Sequence, residues 1–304
     1  MTMRIGLLGT GRWAQVTWAP ALAAHEGVEF AGVWGRRPEA ARELAEAHGV
    51  RVYASPEELI ADCDAVACAL PPDVQAEHAL AAARGGRHLL LDKPLATDPK
   101  LAREVADAAE AAGVASAVFF TLRFSEPGAG WLREQAGRGG WFVARAEWIA
   151  ALYPLGGEPS TGVESPWRRE KGALWDVGPH ALSVLETVLG EARLLAAVRG
   201  QHDLVHLTLG HAGGATSTAT LGLTAPPGVD SVGALFLGEH GAAELPGRGE
   251  SAADALGRTI DTLLAAAAGE TDPGAGLLPC DVRYAQHVTE LLAEAERALD
   301  AAPR

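Results

Sequence analysis

The stretch RIGLLGTGRWAQ places Gly9, Gly11 and Ala14 in the spacing G-x-G-x-x-A directly behind a short apolar run from Arg4 to Leu8. Such a pattern turns a buried strand sharply into a helix. The first Gly permits the tight turn, the second lets bare backbone approach a pyrophosphate, and the small third residue lets helix and strand pack closely. The expected ligand is a dinucleotide held by Gly9, Gly11, Arg12, Trp13 and Ala14. In such a site, an acidic residue ending the second strand favours NAD. Here that strand ends Val33-Trp34-Gly35-Arg36-Arg37, and the first carboxylate is Glu39, placed after Pro38 as first-turn helix chemistry. Arg36 and Arg37 suit a 2′-phosphate, or one of them an adenine face, so NADP is expected over NAD. Solvated loop charges are the alternative.

The elements that must position these residues come in two textures. From Arg4 to about Thr121, short β-rich runs (RIGLLG, VEFAGVWG, RVYA, DAVACAL, HLLLDK, VASAVFF) alternate with Ala-rich stretches. Those after Gly11, from Pro38 to His48, from about Asp73 to Ala83 and from Asp98 to Ala112 read as helices. This alternation predicts an α/β Rossmann domain, a doubly wound parallel sheet, over 1–122. Beyond Leu122, the runs WFVARAEWIAAL, RLLAAVRG, DLVHLTLG, ATSTATLGLTA, SVGALFLG and AAELPG predict strands, with turns at His211–Gly214 and Glu239–Gly241. Helices are expected around Asp176–Leu189 and from about Asp281 to Ala302, and LPGRGES at 245–251 reads as a loop. The prediction for 123–304 is an α+β domain with a largely antiparallel, open-faced sheet and a C-terminal helix.

Composition excludes several functions. A chain of 304 residues that is 48% hydrophobic supplies one or two ordinary cores. No apolar run approaches the roughly eighteen residues of a membrane span, and a strand begins at once without a signal-peptide pattern, so the expected address is the cytoplasm. A net charge of −14 argues against nucleic acid or an anionic membrane as partner. Cys63, Cys68 and Cys280 make an odd set without C-x-x-C spacing, indicating buried small hydrophobes rather than disulfides or a zinc site.

Three further motifs follow in order: Leu70-Pro71-Pro72 with His78, Asp92-Lys93-Pro94, and Asp176-Val-Gly-Pro-His180. Together with Gly9, Gly11 and Ala14, they make the chain closely resemble the Gfo/Idh/MocA family, the glucose-fructose oxidoreductase and inositol dehydrogenase group, over almost its whole length. The resemblance implies a Rossmann domain joined to an open-faced sheet domain, with the active site between them and oligomers built on the open sheet. It implies cofactor contacts at Leu70, Pro71, Pro72, His78, Asp92 and Lys93, and catalytic roles for Lys93, Asp176 and His180. The family often carries an aspartate three residues after the histidine. Ser183 stands there instead, which puts the tethering of that helix in doubt without touching the catalytic groups.

The residue types suit the implied chemistry. Hydride transfer at a secondary alcohol or ketone needs a proton acceptor or donor at the oxygen, and a histidine serves both directions near neutral pH. An ammonium beside that oxygen stabilises alkoxide-like charge. His180 is therefore expected as acid/base, Lys93 as the stabilising charge and Asp176 as the orienting group. A lysine with a depressed pKa could instead carry the proton, and each short motif also has an ordinary structural use. The spacing of Asp176 and His180 also invites a metal reading, but Pro179 interrupts regular helix and no third ligand has a comparable spacing, so no metal is expected. Arg123, Trp167 and Arg168, with Phe124 and Arg169 beside them, could line a polar pocket with aromatic walls for a sugar or cyclic polyol; core and surface roles are the alternative. The substrate and the direction of reaction stay open. A regulatory protein that senses nucleotide without turnover is the second functional reading. Thr216, Thr218 and Thr220 are expected to form a flat sheet face suited to a homodimer or homotetramer.

Overall fold

The computed structural model of the chain describes residues 2–155, 165–247, 249–270 and 279–301. Six strands, β1 (Met3–Leu8), β2 (Val28–Trp34), β3 (Arg51–Val52), β4 (Ala65–Cys68), β5 (His88–Asp92) and β6 (Ser116–Phe119), form one sheet in the order β3-β2-β1-β4-β5-β6. Every pairing in it is parallel. The reason is visible in β4: AVAC is buried at all four positions, as a strand covered on both faces must be. The covering helices are α1 (Ala19–Ala24), α2 (Pro38–His48), α3 (Pro56–Asp62), α4 (Pro72–Arg84) and α5 (Pro99–Ala112), with a short α6 (Thr121–Phe124) after β6. Local chemistry starts them. Pro stands in the first turn of α2 to α5, and the Ser55 and Asp98 side chains accept the Glu58 and Lys100 N–H groups. The expected doubly wound parallel sheet is therefore present, and its strand order is that of a dinucleotide-binding Rossmann fold.

The second sheet follows α7 (Gly128–Arg138) and contains β7 (Trp141–Ile149). After α8 (Pro166–Asp176) and α9 (Gly178–Leu189) come β8 (Ala192–Arg199), β9 (Val205–His211), β10 (Thr216–Gly222), β11 (Ser231–Gly238) and β12 (Gly241–Glu244). Their order is β12-β11-β7-β10-β9-β8, antiparallel except for the central β7–β10 pair. On β10, Ser217, Ala219 and Leu221 are buried whereas Thr216 and Thr218 are exposed, the two-residue period of a half-covered sheet. Helix α9 is buried almost all round because it packs against both α7 and this sheet. A Cβ at Gly178 would lie 2.9 Å from Leu292 Cδ2, so the start of α9 has no room for a larger residue.

Two late helices complete the chain, α10 (Ala252–Ala267) and α11 (Val282–Ala301). The compact units divide the sequence differently from a single boundary near residue 122. One takes Met1–Ser125 with Glu250–Ala275 and Pro279–Gln286, and the other takes Glu126–Gly249, Gly276–Leu278 and His287–Arg304. The physical cause is α10, whose Leu256, Ile260 and Leu263 are wholly buried in one core with Ile5, Leu7, Trp18, Val33 and Phe119. Full burial of such side chains stabilises by roughly 1.5–3 kcal/mol each, enough to bring this segment back to the first sheet. The expected loop at 245–251 precedes α10, with Arg248 outside the described residues. Cys63, Cys68 and Cys280 are buried and form no disulfide, and burial raises the Cys63 thiol to about 11. Among the described residues, no helix is long and apolar enough to cross a membrane.

Candidate functional site

The crevice of a doubly wound sheet opens at the carboxyl ends of its strands, where the order reverses between β1 and β4. Gly9 lies there with φ 124°, its N–H donating to the Trp34 carbonyl at 2.8 Å. A Cβ on Gly9 would stand 2.3 Å from the Ala69 carbonyl oxygen, so only glycine permits β1 and β4 to end this close together. Gly11 differs: a Cβ there would meet nothing within 4 Å, which leaves exposed bare backbone facing open space. Ala14 is wholly buried and begins a π-helical turn, Ala14–Trp18, before α1. Arg12 is exposed, and the half-buried Trp13 stacks on Phe119 at 6.5 Å between centroids. These features fit a pyrophosphate at the start of the helix.

At the tip of β2, Arg36 and Arg37 are exposed, and Glu39 lies in the first turn of α2, 3.7 Å from Arg42. Trp34, half-buried, meets the His78 ring edge-on at 5.7 Å. Burial lowers the His78 pKa more than Glu57 and Glu77 raise it, so this ring is neutral near pH 7. Leu70 and Pro71 follow β4 at partial exposure, and Pro72 is buried at the start of α4.

Lys93 is half-buried and follows β5, in a loop held by residues that sequence patterning does not single out. Gln75, 1% exposed, donates through Nε2 to the carbonyls of Asp92 at 2.8 Å and Pro94 at 3.2 Å, and accepts the Asp92 N–H at 2.9 Å. Asp73 accepts from both the N–H and the hydroxyl of Thr97 at 2.7 Å. The Asp92 carboxylate accepts the Lys93 N–H at 2.9 Å. The first turn of α4 thus fixes the backbone on both sides of Lys93. One signal was present in the sequence: Gln75 is a polar residue on the buried, alanine-rich face of α4 with Ala76, Ala79 and Ala83. Arg123 belongs to this same unit, 8% exposed in α6, with its guanidinium 5.9 Å from the Tyr284 ring.

The other unit carries Trp167, Arg168, Asp176 and His180. Asp176 ends α8 and is 6% exposed; His180 lies in the first turn of α9 at partial exposure. Arg168 Nε donates to Asp176 Oδ1 at 3.1 Å, and the Arg168 guanidinium lies 5.3 Å from the Trp167 ring. Ser183, wholly buried, donates to the His180 carbonyl at 2.9 Å, and its own carbonyl accepts from Thr187 at 2.5 Å. The position that carries aspartate in the resembling family therefore serves the helix backbone here. An open cavity of about 240 Å³ is lined by Tyr153, Pro154, Arg168, Arg169, Gly172, Asp203 and Thr224. The Asp203 carboxylate accepts the Leu223 N–H at 2.9 Å and the Thr224 N–H at 3.1 Å, so it serves to fold the end of β10.

Residues 3–120 match the family described as "Oxidoreductase family, NAD-binding Rossmann fold", GFO_IDH_MocA. The chain is 30% identical to D-glucoside 3-dehydrogenase of Escherichia coli over 194 residues, 62% of this chain and 54% of that one. It is 29% identical to the rhizopine catabolism protein MocA of Rhizobium meliloti over 295 residues, 90% of this chain and 89% of that one. Against three of the curated relatives the chain spans 54%, 30% and 53% of their lengths, about half or less. In fold it matches the WlbA dehydrogenase from Bordetella pertussis, solved with NADH and UDP-GlcNAcA. The TM-score is 0.83 at 20% identity, over 99% of this chain and 96% of that one.

Proposed function

We propose that the chain is a dehydrogenase or reductase of the Gfo/Idh/MocA family of oxidoreductases, whose NAD-binding Rossmann model matches residues 3–120. Its proposed reaction moves hydride between NADP(H) and a secondary alcohol or ketone of a sugar, sugar derivative or cyclic polyol. The observation that carries this reading is the crevice at the ends of β1 and β4: the bare Gly11 backbone faces open space while Gln75 fixes the Lys93 loop at the end of β5. A bound nicotinamide supplies the hydride acceptor or donor. His180 takes or returns the hydroxyl proton, Lys93 stabilises charge on the reacting oxygen, and Asp176 orients the group. The preference for NADP over NAD rests on the exposed pair Arg36 and Arg37, with Glu39 drawn into α2. Gly9, Arg12, Trp13, Ala14, Leu70, Pro71, Pro72, His78 and Asp92 complete the proposed nucleotide site. A cytoplasmic address and self-association through the open face of the second sheet belong to the same proposal. The deciding experiment is a titration with NADPH and NADH, followed by a panel of polyols and ketosugars. Nucleotide binding with turnover supports the enzyme; tight binding without turnover across the panel turns the assignment to a nucleotide sensor.

A further inference from the structure

Arg168 stands eight residues before Asp176, which in uninterrupted α-helix is about 12 Å along the axis. The chain does not keep that geometry. At Gly172 it takes φ 65° and ψ −163°, a conformation open to glycine, and the helix resumes from there to end at Asp176. The two side chains meet across this break, Nε to Oδ1 at 3.1 Å, with side-chain exposures of 24% and 9%. A carboxylate this deeply placed depends on donors supplied by its neighbours. The guanidinium also lies over the Trp167 ring, 5.3 Å from its centroid, a second contact that limits its freedom to turn away. Arg168 also forms part of the wall of the 240 Å³ cavity shared with Tyr153, Gly172 and Thr224.

We propose that Arg168 is the positioning residue of Asp176, fixing the carboxylate in one orientation, with the Gly172 break as the backbone device that brings the pair together. The proposal rests on the reading of Asp176 as part of a dehydrogenase site. It also gives Arg168 a task distinct from gripping substrate. A substrate ligand contributes mainly to KM, whereas a residue that orients the catalytic constellation contributes to kcat, because a displacement near 1 Å costs on the order of 100-fold.

The test uses the full-length protein, the preferred nicotinamide cofactor and the fastest substrate of the polyol and ketosugar panel. Arg168→Ala is expected to lower kcat by roughly 10–100-fold with little change in KM. Guanidinium chloride at millimolar concentration should restore part of the rate, sodium chloride none of it, and guanidinium should leave Asp176→Ala inactive. Arg168→Met, which keeps an unbranched stem beside Trp167, should show the same kcat loss and serves if Arg168→Ala folds poorly. A second measurement needs no turnover: in a thermal-unfolding cycle of Arg168→Met, Asp176→Ala and the double variant, the double variant should lose clearly less than the sum of the single losses. Wild-type kcat in Arg168→Met, a rise in KM alone, or additive thermal losses would overturn the proposal. If no compound in the panel turns over, the dehydrogenase reading fails separately, and the thermal cycle still decides whether Arg168 and Asp176 act as a pair.

Discussion

Replacing Gln75 by Leu removes the side chain that joins α4 to the Lys93 loop while leaving an apolar residue of similar size on a buried helix face. The two shortest hydrogen bonds, 2.8 Å to the Asp92 carbonyl and 2.9 Å from the Asp92 N–H, disappear together, along with the 3.2 Å bond to the Pro94 carbonyl. A typical hydrogen bond contributes about 1 kcal/mol net, and a buried backbone group left without a partner costs about 1–3 kcal/mol. Asp92 is itself only half-buried, so water compensates part of the loss, and the expected destabilisation is roughly 2–4 kcal/mol. For a unit of this size that is a fall in Tm on the order of 5–15 °C, measured by calorimetry. Gln75→Glu separates the two halves of the interaction: its carboxylate can still accept the Asp92 N–H but cannot donate to the carbonyls, and it places a charge beside them. It should therefore destabilise at least as much as Leu. Turnover should fall further than stability explains, because the Lys93 backbone loses its fixed course. A Tm for Gln75→Leu within about 1 °C of the parent would refute the assignment of Gln75 as the clamp of this loop.

Other outcomes follow from the same geometry. Arg36→Ala/Arg37→Ala should weaken NADPH binding by about 1.5–3 kcal/mol for each charge-assisted hydrogen bond removed, leaving NADH little affected; equal affinity of the parent for the two cofactors would count against this. Lys93→Ala and His180→Ala should each retain nucleotide binding and lose about 100-fold to 10,000-fold in kcat, and near-normal turnover in both would misplace the site. The open face of the second sheet carries Leu195, Val198 and Leu237, all more than a third exposed, beside Thr218, so Thr218→Arg should lower the mass seen by light scattering; a micromolar monomer of the parent would exclude the assembly. His287 lies 2.6 Å from the wholly buried Glu186, and although burial opposes protonation, Glu186, Glu191 and Glu290 hold its pKa above the ordinary 6.5. Its contribution to stability is complete below about pH 6.5 and is lost as pH rises through the raised value, so the Tm difference between parent and His287→Gln should shrink across that window.

The first sheet was legible because most of its strands, the two-residue exposed β3 apart, are short, largely apolar runs and the helices between them repeat at the spacing that parallel connections need. Helix α10 was not, although its signals are present: Ser251 caps it by accepting the Asp254 N–H, and Ala255, Leu256, Thr259, Ile260 and Leu263 recur on one buried face. It follows a run of strands and belongs to a sheet formed far earlier in the chain, a connection that local patterning does not encode. Helix α7 was hidden by Gly128, Gly130 and Gly137, which lower helix propensity, and α8 by its charged first turns and the break at Gly172. The parallel β7–β10 pair was equally invisible, since strand direction depends on the α8–β9 excursion between them. At the site, glycine spacing announced the turn at Gly9 and Gly11. Gln75 left a trace as a polar residue on an alanine-rich face, and Arg168 read as a pocket residue, but their roles toward the Lys93 loop and Asp176 emerge only once α4 and α8 are placed.

The return of α10 to the first sheet sets an order for biosynthesis. When residues up to Ser125 have left the ribosome, all six strands of that sheet exist, but Leu256, Ile260 and Leu263 do not, and the apolar surface around Trp18 and Phe119 awaits them. The nascent amino-terminal segment then lacks part of its core, and the apolar surface that α10 covers has no partner from this chain until Ala252–Ala267 emerges. No single cut can separate this protein into two self-sufficient pieces. A transcript truncated after Ser125 would yield a sticky fragment, whereas a shortened chain joining 1–125 to 250–286 through a short linker would carry the complete core of the first unit.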